Sequence, residues 1–230
     1  MSPEANDQTL SRRPVRSYHQ RKGKTTPTQE RGMEHGWPLW GIPTPVGALR
    51  LAELFDGRPV VLDIGFGMGE SVLTLAEANP EIGVLGLEVH ERGVGQLLSG
   101  VQEAGLSNVR VLRGDAAEIV RDHLPPASLA GVRLFFPDPW PKSRHHKRRL
   151  VQPTWATDVV RALEPGGYLY CATDWEPYAQ HMREVLDAEA GLVRHDELVA
   201  RFRATRPTTR YEAMGIARGH RVTDLVYLRS

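Results

Sequence analysis

Apolar runs of strand length alternate with helical segments along most of this chain, and this alternation is the strongest constraint on its fold. Five such runs are present: PVVLDI (59–64), VLGLEV (84–89), NVRVLR (108–113), VRLFF (132–136) and YLYCAT (168–173). Helical patterns follow or separate them, over 70–80, 91–105, 115–123, 153–163 and 175–189. Strands that alternate with helices form a mainly parallel sheet through right-handed crossovers, with helices on both faces. The sequence therefore predicts an α/β fold.

The two ends of the chain depart from this alternation. LVRHDELVARF (192–202) and RVTDLVYL (221–228) are two further strand candidates with no good helix between them, which predicts an antiparallel hairpin at the sheet edge and seven strands in all. Residues 1–45 are polar, rich in Pro and Gly, and weakly periodic. We therefore expect a flexible basic arm over 1–45 and one folded domain over 46–230.

Charge is distributed unevenly, although the net charge is only +1. Residues 1–31, 142–149 and 201–210 together carry a net +13, so the rest of the chain carries −12. Any one basic run is compatible with a solvated surface. An acidic body with three concentrated basic segments is typical of a protein that binds a polyanion, and favours a nucleic-acid partner.

A single cysteine, Cys171, excludes an internal disulfide and a zinc site built from cysteines. Its position in an apolar run predicts a small buried residue. The sequence has no run of 18 or more apolar residues, and its first residues lack the apolar core of a secretory signal. These features predict a cytoplasmic protein without membrane spans.

The first strand leads directly into a glycine-rich turn, DIGFGMGE. Its glycines, which allow a tight turn and close approach of a ligand to the backbone, are Gly65, Gly67 and Gly69. A dinucleotide site has G-x-G-x-x-G instead, with the pyrophosphate on the helix N-terminus. Here Glu70 begins the helix and Asp63 precedes the turn, so a pyrophosphate would be repelled. A ligand with an ammonium group, such as S-adenosylmethionine, suits this turn better.

Two more acids follow the next two strands. Glu88 ends the second strand, where a carboxylate can accept hydrogen bonds from both ribose hydroxyls; the alternative is a capping or surface acid. Asp115 follows the third strand and either meets an adenine amino group, caps the next helix, or does both. Because ligands of parallel sheets bind at the carboxyl ends of strands, Asp63, Glu88 and Asp115 together favour an adenosyl-cation site.

Another acid, Asp138, follows the fourth strand in FFPDPWPKSRHHKRR (135–149). Pro137 and Pro139 restrict the backbone on both sides, so the carboxylate is held in one direction. The alternative interpretation is a turn aspartate. Trp140 either stacks on an unpaired base or packs in the core. The basic residues that follow are suited to RNA phosphates.

The chain resembles the bacterial tRNA (guanine-N7-)-methyltransferases over roughly residues 16–228. The motifs that carry the resemblance are, in order, RSYHQRKGKTT, LDIGFGMGE, LGLEVH, RGDA, FFPDPWPKSRHHKRRL, ATDWEPYA and TRYEAMGIARGHRVTDLVY. It implies a Rossmann-like class I methyltransferase fold, S-adenosyl-L-methionine as cofactor, tRNA as partner and no metal. The implied reaction methylates N7 of a tRNA guanine, at position 46 in the variable loop, and forms 7-methylguanosine.

The resemblance also implies roles for the matching residues. The cofactor-binding positions are Asp63, Gly65, Gly67, Gly69, Glu88, Asp115 and Asp138, of which Asp138 is also catalytic. The substrate-binding positions are Lys142, Asp174, Thr209, Arg210, Tyr211 and Glu212. The RNA-contacting positions are Arg144, His145, His146, Lys147, Arg148 and Arg149. The chain departs from the family at Met214, where Arg is usual, and at Asp63, where Glu is usual.

The chemistry of guanine N7 is compatible with this set of residues. N7 already has an in-plane lone pair and no proton, so its methylation requires positioning rather than a general base. We therefore expect Asp138 to orient the base. Three other functions are considered: an NAD-dependent oxidoreductase, which Glu70 disfavours; a non-catalytic RNA-binding protein on this fold; and a methyltransferase that acts on another base or RNA.

Overall fold

The computed structural model describes residues 17–18, 23–208, 212–213, 219 and 221–230. These residues form a sheet of eight strands in the order β1-β4-β3-β2-β5-β6-β8-β7. The strands are β1 Gly41–Ile42, β2 Val60–Ile64, β3 Gly83–Glu88, β4 Val109–Arg113, β5 Leu129–Phe135, β6 Leu163–Thr173, β7 Leu192–Arg194 and β8 Thr223–Arg229. Strands β1 to β6 pair in parallel, whereas β8 pairs antiparallel with both β6 and β7. The predicted α/β fold with an antiparallel edge is confirmed.

Helices cover both faces of the sheet, because successive strand residues point to opposite sides. The helices are α1 Pro27–Arg31, α2 Trp37–Trp40, α3 Leu51–Leu54, α4 Glu70–Ala78, α5 Glu91–Ala104, α6 Ala116–Asp122, α7 Pro153–Ala162, α8 Glu176–Asp187 and α9 Val199–Ala204. On one face, Val61 packs with α4 and α5. On the other face, its neighbour Leu62 packs with α6, α7 and α8. The two apolar layers hold the strand ends in fixed positions.

Part of the segment expected to be a flexible arm is folded. A capping box at Thr26 starts α1, a π-helical turn follows over Gly32–Gly36, and β1 adds an eighth strand beside β4. The segment packs closely on α5, since a Cβ on Gly32 would lie 1.9 Å from the carbonyl oxygen of Gly95. Glycine at this crossing lets the two backbones touch. The ordered structure therefore begins well before residue 46.

The closing segment also differs from its prediction. Of the candidate strand 192–202, only Leu192–Arg194 is a strand, and α9 occupies the second half. Leu198, Val199 and Phe202 pack against the sheet around Phe135. Their spacing is helical, which explains why the second half of this segment forms a helix rather than a strand. The antiparallel pairing of β7 with β8 is as predicted.

Candidate active site

A cavity of about 1170 Å³ opens at the carboxyl ends of β2 to β5. Six of the residues predicted for the cofactor line it: Asp63, Gly65, Gly67, Glu88, Asp115 and Asp138. They come from four separate strand ends and the turns that follow them. The parallel sheet explains this convergence, since it brings the carboxyl ends of its strands to one edge.

The glycine turn lines one wall of this cavity. Gly65 and Gly67 have positive φ angles of 70° and 61°, and a Cβ on either would meet no atom within 4 Å. The missing side chains therefore leave space for a ligand against the backbone. Gly69 differs from its prediction, because it does not line the cavity. A Cβ there would lie 2.8 Å from the Cβ of Leu97, so Gly69 permits close packing of the turn on α5.

Glu88 is almost fully buried, and its carboxylate already accepts three backbone hydrogen bonds. The N–H groups of Val89 and His90 donate to Oε1 at 2.7 and 3.0 Å, and that of Gly67 donates to Oε2 at 3.1 Å. A carboxylate oxygen has two lone pairs, so only Oε2 keeps capacity for another donor. The sequence predicts hydrogen bonds from two ribose hydroxyls to this carboxylate, but the structure leaves room for only one, on Oε2. Glu88 also fixes the glycine turn.

Asp63 lies at the floor of the cavity and is paired. Ser71 Oγ donates to its Oδ2 at 3.1 Å, and Arg133 Nε lies 3.4 Å from the same oxygen. Burial raises the pKa of Asp63, while Arg133 and Ser71 oppose the shift. Asp63 and Arg133 are register partners on β2 and β5, and both side chains are buried. The sequence analysis missed Arg133, although a charged residue inside an apolar run signals a buried partner.

Asp115 caps a helix at the cavity wall. Its Oδ1 accepts from the N–H of Ala117 at 3.0 Å, which caps α6, and from Ser17 Oγ at 3.4 Å. Both interpretations of Asp115 remain compatible with the structure, because it caps the helix and faces the cavity. Ser17, Tyr18 and Thr25 from the N-terminal segment line the same cavity. They were missed, because that segment lacks periodicity.

Asp138 lies in a sharply turned loop that lines the cavity. Phe136 and Trp140, on either side of Pro137-Asp138-Pro139, have positive φ angles of 50° and 47°. Non-glycine residues rarely adopt this conformation, which requires support from the surrounding structure. The N–H of Phe136 donates to the carbonyl oxygen of Ala172 at 2.7 Å, which anchors the start of the loop to β6. Asp138 itself is half-buried and lines the cavity.

Trp140 packs in the core, and does not form a stacking surface for an unpaired base. It is 2% exposed, so its rings are not available for stacking on a base. Its Nε1 donates to the carbonyl oxygen of Ser17 at 3.1 Å. The guanidinium carbon of Arg148 lies 4.9 Å from the centre of the indole.

The basic segment after Trp140 forms a 3₁₀ turn over Ser143–Arg148. The exposed cations of this segment are Lys142, Arg144, Lys147 and Arg148. His145 and His146 are half-buried. The exposed cations follow the loop that holds Asp138 and form a basic surface. Lys142 does not line the cavity.

Arg149 differs from its predicted role as an RNA contact. It is 4% exposed, and burial lowers its pKa. Its Nε donates to the carbonyl oxygen of Pro139 at 3.1 Å, and its guanidinium lies 4.9 Å from the ring centre of Tyr178. Arg149 therefore supports the Asp138 loop from inside.

The C-terminal positions predicted to bind substrate divide into two groups. Thr209, Arg210, Tyr211 and the departure at Met214 lie outside the described residues. Glu212 is 2% exposed, pairs with Arg203 and Arg206, and does not line the cavity. Its role in substrate binding stays a prediction. Asp174 is half-buried just after β6 and does not line the cavity.

Among the described residues, no helix has the length and apolar character needed to cross a bilayer. The same part of the chain contains no cluster of three or more His, Cys, Asp and Glu residues arranged to bind a metal ion.

Comparisons with known proteins agree with this geometry. Residues 57–225 match the family described as "Putative methyltransferase". The tRNA (guanine-N(7)-)-methyltransferase of Alkalilimnicola ehrlichii is 48% identical, over 96% of this chain and 95% of that protein. The protein of that name from Stutzerimonas stutzeri is also 48% identical, over 99% of this chain and 98% of its own length.

Solved structures share the fold at low sequence identity. The 16S rRNA methyltransferase KamB has a TM-score of 0.59 at 18% identity, over 81% of this chain and 95% of KamB. TrmN from Thermus thermophilus has a TM-score of 0.54 at 19% identity, over 78% of this chain and 47% of TrmN. At these identities the likeness concerns the fold alone.

The sheet order and the glycine turn belong to a Rossmann-like fold that solved methyltransferases share, and the family match over residues 57–225 makes the chain a methyltransferase. The full-length similarity to curated relatives then narrows the class. The chain belongs to the tRNA (guanine-N7-)-methyltransferase family.

Proposed function

We propose that this protein transfers a methyl group from S-adenosyl-L-methionine to N7 of a guanine in tRNA, forming 7-methylguanosine. The observation that carries the proposal is the position of Asp138, which lies at the wall of the acid-lined cavity and just before a row of exposed cations. The loop thus contributes to the wall of the proposed cofactor site and leads into a basic surface suited to RNA. Membership of the family supports the same reaction.

The cavity residues fit S-adenosyl-L-methionine. Gly65 and Gly67 leave open space beside the backbone, and Glu88 Oε2 can accept from one ribose hydroxyl. Asp115 and Asp138 add carboxylates to the wall, which suit a cationic ligand. When bound, this cofactor supplies a methyl group on a positively charged sulfur. Glu70, exposed at the start of α4, disfavours a pyrophosphate and therefore the NAD-dependent alternative.

The chain's own task is to hold guanine in line with the methyl group. N7 attacks with its lone pair and loses no proton, so no residue acts as a general base at that atom. The carboxylate of Asp138 accepts hydrogen bonds from guanine N1–H and the N2 amino group, and it stabilises the positive charge that the purine gains. This arrangement accounts for catalysis by positioning and electrostatics.

The tRNA is held mainly by its phosphates. The exposed cations Lys142, Arg144, Lys147 and Arg148 lie close in sequence to Asp138 and provide binding with little base reading. Within the tRNA, the variable-loop guanine expected from the family resemblance is the proposed acceptor. The proposed compartment is the cytoplasm, where tRNA is the available substrate.

The test is incubation of the protein with total tRNA and methyl-labelled S-adenosyl-L-methionine, followed by nucleoside analysis and mapping of the labelled position. Asp138→Asn keeps the shape of the side chain and removes its charge. Asp122→Asn is the matched control, since Asp122 is exposed and pairs with its neighbour Arg121. We expect labelled 7-methylguanosine in the variable loop with wild type and Asp122→Asn, and about a hundredfold lower rate with Asp138→Asn.

Other outcomes identify the alternatives. Label in a different nucleoside, or at a guanine elsewhere in tRNA, would keep the cofactor and overturn the acceptor. Absence of label from wild type, together with salt-dependent tRNA binding, would support the non-catalytic RNA-binding protein. An unchanged rate in Asp138→Asn would remove Asp138 from the mechanism.

A further inference from the structure

Five polar side chains from β6, α9, β8 and the chain between α9 and β8 meet beside the residues that lead into the Asp138 loop. This buried ion cluster consists of Tyr170, Arg203, Arg206, Glu212 and Asp224. Two guanidinium groups face two carboxylates, so the cluster is neutral overall. None of these residues lines the cavity.

Arg206 is the centre of the cluster, and its side chain is 1% exposed. Its Nη1 and Nη2 donate to the two carboxylate oxygens of Glu212 at 2.5 and 3.0 Å. Its Nε donates to the hydroxyl of Tyr170 at 3.1 Å, and Nη2 also donates to Asp224 Oδ1 at 3.3 Å. A two-point arginine–carboxylate pair fixes direction as well as distance. The plane of this guanidinium is therefore set by three separate elements.

The same guanidinium contacts the residues that lead into the Asp138 loop. Its central carbon lies 5.3 Å from the ring centre of Phe135 and 5.4 Å from that of Phe136. Phe136 has the left-handed φ of 50°, and only Pro137 separates it from Asp138. Cation–π contacts on both rings hold the chain where this unfavourable backbone conformation begins.

We propose that Arg206 is a positioning residue for Asp138, and that its pairing with Glu212 holds it in the required orientation. Glu212 orients the guanidinium, the guanidinium fixes Phe135 and Phe136, and these two residues set the direction of the Asp138 carboxylate. This inference rests on the proposed function. It extends that function by assigning a role to a charged cluster outside the cavity.

The decisive variant is Arg206→Lys, which keeps the positive charge but lacks the planar fork needed for two bonds to Glu212 and contact with two rings. We expect the single-turnover methylation rate, at saturating tRNA and cofactor, to fall roughly 10- to 100-fold. The dissociation constant of S-adenosyl-L-methionine should change by a smaller factor than the rate, because Arg206 does not line the cavity and Asp138 is only one of several residues that do. Tyr170→Phe, which removes one hydroxyl from the cluster, should lower the rate in the same direction by a smaller factor.

A structural control separates positioning from general destabilisation. Arg161 on α7 donates to the carbonyl oxygens of Leu124 and Val120, both at 2.7 Å, and it does not line the cavity. Arg161→Lys should lower the melting temperature and leave the saturated rate unchanged. If Arg206→Lys behaves in the same way, Arg206 only stabilises the fold and the inference is wrong. Should Arg206→Lys fail to fold, an unchanged saturated rate in Tyr170→Phe would overturn the inference.

The pairing with Glu212 provides a second test. Glu212→Gln should lower the rate, and it should cause a smaller further loss in Arg206→Lys than in the wild-type protein, because the two residues share one contact. Losses that multiply would show that the two residues act independently and would contradict this shared contact. A wild-type protein that forms no 7-methylguanosine would refute the proposed function itself, which is a distinct outcome from failure of these variants.

Discussion

Trp140 Nε1 donates a hydrogen bond of 3.1 Å to the carbonyl oxygen of Ser17, which joins the Asp138 loop to a residue 123 positions earlier in the chain. Ser17 also donates to Asp115, another residue that lines the cavity. Ser17 therefore links the Asp138 loop to the residue that caps α6. These two contacts make Ser17 part of the proposed cofactor site.

Trp140→Phe removes this bond while keeping an aromatic ring in the interior. Loss of one hydrogen bond costs about 1 kcal/mol, so we expect S-adenosyl-L-methionine to bind about fivefold more weakly, measured by calorimetry. Trp155→Phe is a suitable control, since Trp155 is buried and its Nε1 has no hydrogen-bond partner among the described residues. Equal cofactor affinity in the two variants would show that the segment does not contribute to binding.

Glu88→Gln tests the carboxylate that holds the glycine turn. The amide nitrogen of Gln cannot accept from a backbone N–H, so one of the three bonds to Val89, His90 and Gly67 becomes a repulsive contact. We expect cofactor affinity to fall at least about tenfold. Glu103→Gln changes an exposed residue on α5 in the same way and should leave the affinity unchanged. Wild-type affinity in Glu88→Gln would contradict the assignment.

The exposed and buried arginines of the basic segment should behave differently. Arg144→Gln removes an exposed charge, so tRNA affinity should fall and the slope of log affinity against log salt should decrease by about 1. Arg149→Gln removes hydrogen bonds inside the fold, so it should cost about 1–3 kcal/mol of unfolding free energy and leave the salt slope unchanged. Reversed results for the two variants would show that Arg149 contacts RNA.

The rate of methyl transfer should depend little on pH. Because guanine N7 carries no proton, the single-turnover rate at saturating tRNA and cofactor should be flat from about pH 6 to about pH 8. The control is the tRNA binding curve, recorded at each pH to confirm saturation. A rate that rises tenfold per pH unit would indicate that a group must lose a proton during the reaction, and would exclude positioning as the role of Asp138.

Cys171 should resist thiol reagents in the folded protein. It is fully buried in β6, and burial raises the pKa of its thiol from 9.0 to about 12. In the unfolded chain the thiol ionises first, so the contribution of Cys171 to stability is complete below pH 9 and is lost as pH rises toward 12. Labelling at pH 8 should therefore require denaturant. Comparison with Cys171→Ala, which should lose less stability above pH 9, isolates this thiol, and rapid labelling of the native protein would contradict its burial.

Local sequence patterns predicted most of the sheet, but they failed at two places. Thr26 and Gln29 form a capping box at the start of Pro27–Arg31, and Pro27 is the first helical residue. These are signals of a helix, but the polar composition of the region favoured a flexible arm. The helix α9 follows a three-residue strand, and its apolar residues at helical spacing were read as part of a longer strand. The secondary structure of such short elements depends on the surface that they pack against, so sequence periodicity alone predicts it poorly.

The sequence by itself determined which acids meet at the cavity. Asp63 and Glu88 lie at the ends of β2 and β3, Asp115 and Asp138 follow β4 and β5, and parallel strands end at one edge whatever the details of packing. Only the tertiary structure decided which charged groups face that cavity and which neutralise each other inside. Arg133 with Asp63, and Arg206 with Glu212, are buried pairs between different elements. A charge leaves water only where a partner is held against it, and that partner is set by the packing of the whole chain.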